Sequence, residues 1–270
     1  MLAGLAPARR RLVVAVVVLA LAGVAVLTAS LVLSRSPGPA RAATPAAQLR
    51  PGPVLLVPGY GGATGALQTL ADRLTAAGRD ATVVRLPGDG TGDLTDAANA
   101  LDAAVTAALG RTGENSVDVV GFSAGGVVAR LWVAGGHADV VRRVVTLGSP
   151  HHGTALADLA GDVAPDQCPL ACAELSSSSA VLARLNARDE TPAGPAWISI
   201  WTTQDSVVTP PDSARLTGAL NMTVQSVCPR AQVTHGDLPR SPLVQQMVLT
   251  ELGSGPPVRL GAADCARLSG

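Results

Sequence analysis

Gly121-Phe122-Ser123-Ala124-Gly125-Gly126 places a serine between glycines. An apolar run, Val117-Asp118-Val119-Val120, precedes it and the helix-compatible Val127–Trp132 follows. A G-x-S-x-G sequence carries little information alone. Between a strand and a helix it describes a tight, strained turn that lifts a serine Oγ above a sheet. A serine hydroxyl is a weak nucleophile at neutral pH and needs a base, which in turn needs an orienting acid. In this topology the acid and then the histidine follow the serine along the chain. The four histidines are His137, His151, His152 and His235, and only His235 lies beyond the last strand-like runs. Asp205 stands just past the run Ala196–Trp201 and is the expected acid. Asp212 lies deeper in a proline-containing loop and Asp189 precedes the strand. Catalysis at Ser123, Asp205 and His235 would need donors for an oxyanion. The glycine-rich loop Pro58-Gly59-Tyr60-Gly61-Gly62 and the residue after the nucleophile supply them through the backbone N–H groups of Tyr60 and Ala124.

Other motifs carry less. A dinucleotide fingerprint starting at Gly59 requires glycine where Thr64 stands, and one starting at Gly88 fails at Asp93. Gly88–Gly92 therefore reads as a tight loop near the mouth of the site, and no cofactor is expected. The pair His151-His152 has no obvious acidic partner in the sequence, and neighbouring histidines rarely face one ion. A hydrogen-bonded role beside the sheet is expected, with no metal. Cys168, Cys172, Cys228 and Cys265 form an even set. Three pairings exist, of which Cys168–Cys172 and Cys228–Cys265 are favoured. A zinc site fits the spacing poorly, with no histidine nearby.

The elements that must position these groups alternate. Strand candidates are Val54–Val57, Ala81–Leu86, Val117–Val120, Arg143–Leu147, Trp197–Trp201 and Met222–Val227. They are continuous and β-branched, as in strands covered on both faces. Between them Leu67, Leu70 and Leu74, then Leu94, Ala98, Leu101, Val105 and Ala108, then Leu243 and Met247 recur at helical spacing. The expected fold class is α/β, a mostly parallel sheet of about six strands flanked by helices. Residues 149–196 are too long for a simple crossover and contain a helix near Ala180–Asn186. They read either as a partial cap over the ligand crevice or as an excursion pinned by a disulfide.

Composition bounds the function. The 270 residues are 47% hydrophobic and 15% charged, with no lysine and with aromatics at 2%. Such a chain can bury one good core, so a domain over 53–270 is expected, and disorder and nucleic-acid binding are set aside. Five of the 20 basic residues lie in residues 1–42 without any acid, leaving a net charge of −5 over the remainder. Arg9-Arg10-Arg11, the uncharged run Leu12–Leu33 and a small-x-small site ending at Ala42 describe an export signal. Uncleaved, the same run, residues 12–33, is long enough to be a membrane anchor. Both put the rest outside the cytoplasm, beyond a linker at 43–52, and the paired cysteines agree.

VPGYGG, VVGFSAGGVVAR, TLGSPHHGT, TTQDSVVTPPDSARL and VTHGDLPRSP, in this order, resemble the secreted bacterial lipases and esterases of the α/β-hydrolase fold. TLGSPHHGT and the CPLACAEL segment particularly resemble exported actinobacterial lipases. The resemblance covers most of residues 53–250. It implies a triad at Ser123, Asp205 and His235, oxyanion donors at Tyr60 and Ala124, and an acyl ester or lipid substrate. Many relatives have His-Gly where this chain has Pro58-Gly59, which bears on subgroup rather than chemistry. A monomeric ester hydrolase is expected. An extracytoplasmic acyltransferase using the same triad and a non-catalytic binding protein on the same scaffold are the alternatives.

Overall fold

Six short runs become strands, the four central ones buried on both faces, where branched side chains pack well, and the two edge ones only partly buried. In the computed structural model, which describes residues 50–269, they are β1 (Val54–Val57), β2 (Ala81–Val83), β3 (Val117–Phe122), β4 (Val141–Leu147), β5 (Ala196–Trp201) and β6 (Leu220–Thr223). They form one sheet in the order β2-β1-β3-β4-β5-β6, and every pairing is parallel. The leader at residues 1–42 and the linker up to residue 49 lie outside the described residues.

Successive side chains of a strand point to opposite faces, and the two cores divide accordingly. Leu55, Val57, Val117, Val119 and Val144 face α2 (Leu94–Thr112) and α3 (Ala124–Trp132). Val54, Leu56, Val120, Val145, Ile198 and Ile200 face α1 (Gly65–Ala76) and α8 (Pro242–Glu251). The periodic residues Leu67, Leu70 and Leu74 of α1, and Leu94, Leu101 and Val105 of α2, are all buried. Asp93 opens α2 by accepting the Thr95 N–H, and Gly113 closes it in the left-handed region at φ 71°.

Between β4 and β5 the chain forms α4 (Ala155–Val163), α5 (Leu170–Glu174) and α6 (Ala180–Asn186). The Ala171 N–H donates to the Thr91 carbonyl, and Glu174 accepts the Leu94 N–H, so α5 sits on the loop before α2. Two of the expected strands end early. The run expected from Ala81 to Leu86 ends at Val83. The run expected from Met222 to Val227 is a strand only to Thr223 and then the helical turn α7 (Val224–Val227). Thr223 is the reason for the second change: its Oγ1 accepts the Ser226 N–H and starts a helix inside a β-branched sequence. The cysteines pair as Cys168–Cys172 and Cys228–Cys265. The latter ties α9 (Cys265–Leu268) to the body beside α7.

Candidate active site

β3 runs directly into α3, and Ser123 occupies the turn with φ 54° and ψ −126°. It is the one non-glycine residue with positive φ among the described residues. Such a conformation costs energy and persists only where its surroundings impose it. Here the Ser123 N–H donates to the Leu147 carbonyl of β4. The turn is also packed too tightly for side chains, since a Cβ on Gly121 would lie 2.5 Å from the Gly126 Cα. The sequence G-x-S-x-G-G is thus the steric condition for the turn.

His235 comes from the loop after α7, and its ring lies 7% exposed against Phe122, with centroids 5.1 Å apart. Its Nδ1 is 2.7 Å from Asp205 Oδ2 and its Nε2 is 3.1 Å from Ser123 Oγ. A carboxylate only accepts, so Nδ1–H donates to Asp205 and the Nε2 lone pair is left to accept the Ser123 hydroxyl proton. The other oxygen of Asp205, Oδ1, accepts the N–H groups of Val207 and Val208 at 2.9 and 2.8 Å. Both carboxylate oxygens are therefore occupied and the acid cannot rotate freely. Gly148, at φ 55°, lies beneath the pair: a Cβ there would come within 3.2 Å of Asp205 Oδ2 and 3.3 Å of His235 Nδ1. Asp212 and Asp189 are exposed, while the two ring nitrogens of His235 face Asp205 and Ser123; Asp189 accepts from Thr191.

The loop after β1 touches the serine from the other side, since a Cβ on Gly59 would meet Ser123 Cβ at 2.9 Å. Tyr60 follows with its side chain exposed. Ala124 is the first residue of α3, so its N–H has no carbonyl one turn earlier to bind. Both border a cavity of about 310 Å³ whose other wall is the Gly88–Asp93 loop and Leu94. Gly61 N–H donates to the Gly90 carbonyl and joins the two loops. The Gly88–Gly92 loop therefore lies at the mouth of the site.

His151 and His152 stand apart from this arrangement. His151 is fully buried, and burial first, then the nearby Arg130 and His152, hold its pKa well below the ordinary histidine value. Ser199 Oγ donates to the Ala214 carbonyl and Thr146 Oγ1 donates to Ser199, so Thr146 must accept from His151 Nε2–H at 3.1 Å. His152 bonds Glu190 and the Ser213 carbonyl. Among the described residues no group of three or more His, Cys, Asp or Glu side chains could hold a metal ion.

Sequence reasoning passed over Thr154. Its hydroxyl donates to the Val207 carbonyl at 2.7 Å and accepts the Thr209 N–H at 3.1 Å, while the Ala155 N–H donates to the Thr209 carbonyl. It thereby holds the segment that follows Asp205. Its place in the run Ser149–Thr154, directly after the fourth strand, was the available signal.

The family described as Lipase (class 2) matches residues 101–248. Among solved structures the chain is similar to lipase B of Aspergillus fumigatus, with TM-score 0.64 and 20% identity over 81% of this chain. It spans only 60% of that longer protein. It is similar also to the mature form of the Bacillus licheniformis lipase BlEst2, with TM-score 0.62 and 21% identity, covering 81% of this chain and 94% of that one. An α/β-hydrolase enzyme from the metagenome of lagoon sediments, MGS-MChE2, matches with TM-score 0.50 and 18% identity over 74% of this chain and 89% of its own. No curated protein matches the sequence. At these identities the structural likeness establishes an α/β-hydrolase fold.

Proposed function

This chain belongs to the class 2 lipases, and on that premise we propose that it hydrolyses acyl esters through Ser123, His235 and Asp205. The observation that carries this is the unbroken relay from Asp205 Oδ2 to His235 to Ser123 Oγ, at 2.7 and 3.1 Å, on a strained turn. In this reading Ser123 Oγ attacks the ester carbonyl as His235 Nε2 takes its proton. Asp205 fixes the tautomer and stabilises the imidazolium. The N–H groups of Tyr60 and Ala124 receive the oxyanion, His235 returns the proton to the leaving alcohol, and water then releases the acid from the acyl-enzyme. Two disulfides favour an oxidising compartment, so the enzyme acts outside the cytoplasm, with residues 1–42 as export signal or anchor. The finer likeness, to exported actinobacterial enzymes, rests on the TLGSPHHGT and CPLACAEL segments.

Hydrolysis of a soluble p-nitrophenyl ester and labelling by a fluorophosphonate test the reading together. Ser123→Ala is expected to abolish both while leaving the circular dichroism spectrum unchanged. Turnover that survives in Ser123→Ala overturns the nucleophile. Asp205→Asn is expected to lower kcat by about 10⁴-fold, as a carboxamide favours the wrong tautomer. Asp212→Asn is expected to be neutral; the reverse result moves the acid to Asp212.

A further inference from the structure

A cavity of about 630 Å³, about twice the volume of the one beside Ser123, lies elsewhere in the molecule, and the two share no lining residue. It opens between α2, the end of α3 with the turn Val133–His137, and the segment from α6 to Pro192. Its size falls within the range of pockets that enclose small organic ligands. Ala98, Leu131, Trp132, Leu185 and Pro192 give it an apolar wall. None of Ser123, Asp205 and His235 lines it.

The charged groups around this cavity are unequally occupied. Asp102 accepts the Trp132 Nε1–H at 3.0 Å and faces His137 Nε2 at 3.1 Å. The His137 ring stacks on Trp132 and its Nδ1 lies 2.8 Å from the Trp132 carbonyl, which fixes this wall. Asp189 accepts from Thr191, and Glu190 holds His152 and the Thr217 N–H. The arginines are the reverse. Arg184 and Arg188 are exposed at the rim and make no hydrogen bond or ion pair among the described residues, although the charge of Arg184 is felt by Glu174 on α5. Arg130 lies in the wall, 1% exposed. Its Nε donates to the Glu190 carbonyl and its Nη2 to the Leu185 carbonyl and Asn186 Oδ1, all neutral acceptors, while Nη1 has no partner. Burial pulls its pKa down to about 10, against the opposing charge of Glu190. A buried guanidinium bonded to neutral groups alone carries a desolvation cost that an anion set against it offsets.

We propose that this cavity is a second ligand site, which takes a carboxylic acid with a compact apolar body. The carboxylate sits against Arg130, Arg184 and Arg188, and the body against Leu131, Trp132 and Leu185. A guanidinium matches a carboxylate in shape and charge, and the protein's own carboxylates at the cavity are already engaged. Acids of this class are what ester hydrolysis releases. The identity of the occupant as the enzyme's own product rests on the esterase reading; the binding itself does not.

Calorimetric titration of the full chain with octanoate tests this, with octanol and octyltrimethylammonium as uncharged and cationic controls. Octanoate is expected to bind, and the controls to bind at least about tenfold more weakly. Arg130 is left in place, since it holds the segment 185–190 through three hydrogen bonds. Arg184→Gln with Arg188→Gln is expected to weaken octanoate by about tenfold or more, a difference that narrows at high salt. Ala134→Phe keeps every charge and fills part of the cavity, and should weaken octanoate to a similar degree. All three positions are exposed, so both variants should keep the parent's melting temperature and its kcat/KM on a soluble ester. Prior reaction with a fluorophosphonate occupies the cavity beside Ser123. Octanoate binding is expected to persist in the parent so treated and to stay weakened in both variants. A chain that takes up no fluorophosphonate counts against the esterase reading alone, because the two variants still locate the octanoate. Octanoate that fails to bind, that binds the parent and both variants alike, or that binds no more tightly than the cationic control overturns the site.

Discussion

Thr154 bonds Val207 and Thr209 with one hydroxyl, just past the Asp205 that faces His235. Thr154→Val keeps the side-chain shape and removes both loop bonds together with the cap to the Leu156 N–H, so the acid loses its support without losing its charge. The expected outcome is a fall in kcat of about ten- to hundredfold, because small displacements of catalytic groups are costly. KM should change little and Thr154→Ser should restore most of the rate. Steady-state kinetics of the three proteins check this, and a matching loss in Thr154→Ser would mark the effect as general loosening. The individual groups of the candidate site were legible because their types are scarce: four histidines, one past the last strands, leave little choice of base. Thr154 was not legible in the same way. Threonine is common, and its role depends on a loop that meets it from 53 residues further along.

At the scale of elements, helix α8 ends on a buried acid. Glu251 is fully buried, with Oε2 accepting the Val258 N–H and Oε1 without a hydrogen-bond partner. Burial, outweighing the Val258 N–H and the nearby Arg143, pushes its pKa up from 4.5 to about 6. A carboxyl whose folded pKa is raised holds its proton more tightly in the native state. Its contribution is therefore fully present below about pH 4.5 and is lost as pH rises through about 6, a change of about 2 kcal/mol at most. Glu251→Gln resembles the protonated form at every pH. Its melting temperature is expected to match the parent near pH 4.5 and to exceed it by a gap that opens towards pH 6 and then stays constant. Parallel thermal melts across that range check this; a gap that does not change with pH rules it out. The helices α1 and α2 were readable from helical spacing, and the four central strands from continuous β-branched runs. The end of the sixth strand was not, because the choice between strand and helical turn at Val224–Val227 was made by the Thr223 cap.

For the molecule as a whole, the tail is closed onto the body by Cys228–Cys265, which spans 37 residues, while Cys168–Cys172 spans four. Leu260 and Leu268, on the segment so held, are buried in the core under α8. In the chain-entropy account the longer loop stabilises by about 4 kcal/mol and the shorter by about 2. Replacing Cys228 and Cys265 by serine should therefore lower the melting temperature by about 10 °C, and replacing Cys168 and Cys172 by about half as much. Calorimetry of the two double variants checks the order. At the opposite end of the sheet from Ser123, Asp118 is completely buried between Arg142 and Arg79, whose guanidinium groups also bond the carbonyl of Leu252 at the end of α8. Asp118 with its two arginines and the nucleophile proposed for catalysis thus occupy opposite ends of β3.

By itself the sequence determined the class of fold, the strained turn at Ser123 and the candidate base, because these follow from local backbone sterics, periodicity and scarcity of residue type. Only the tertiary structure decided the rest. It brought Asp205 within 2.7 Å of His235, made Thr154 a support, left Glu251 without a full set of partners and turned the leucines of α4 outward. Each of these depends on which distant segment lies alongside. In a parallel sheet every neighbouring strand is reached through a long crossover, so that information is spread over the whole chain.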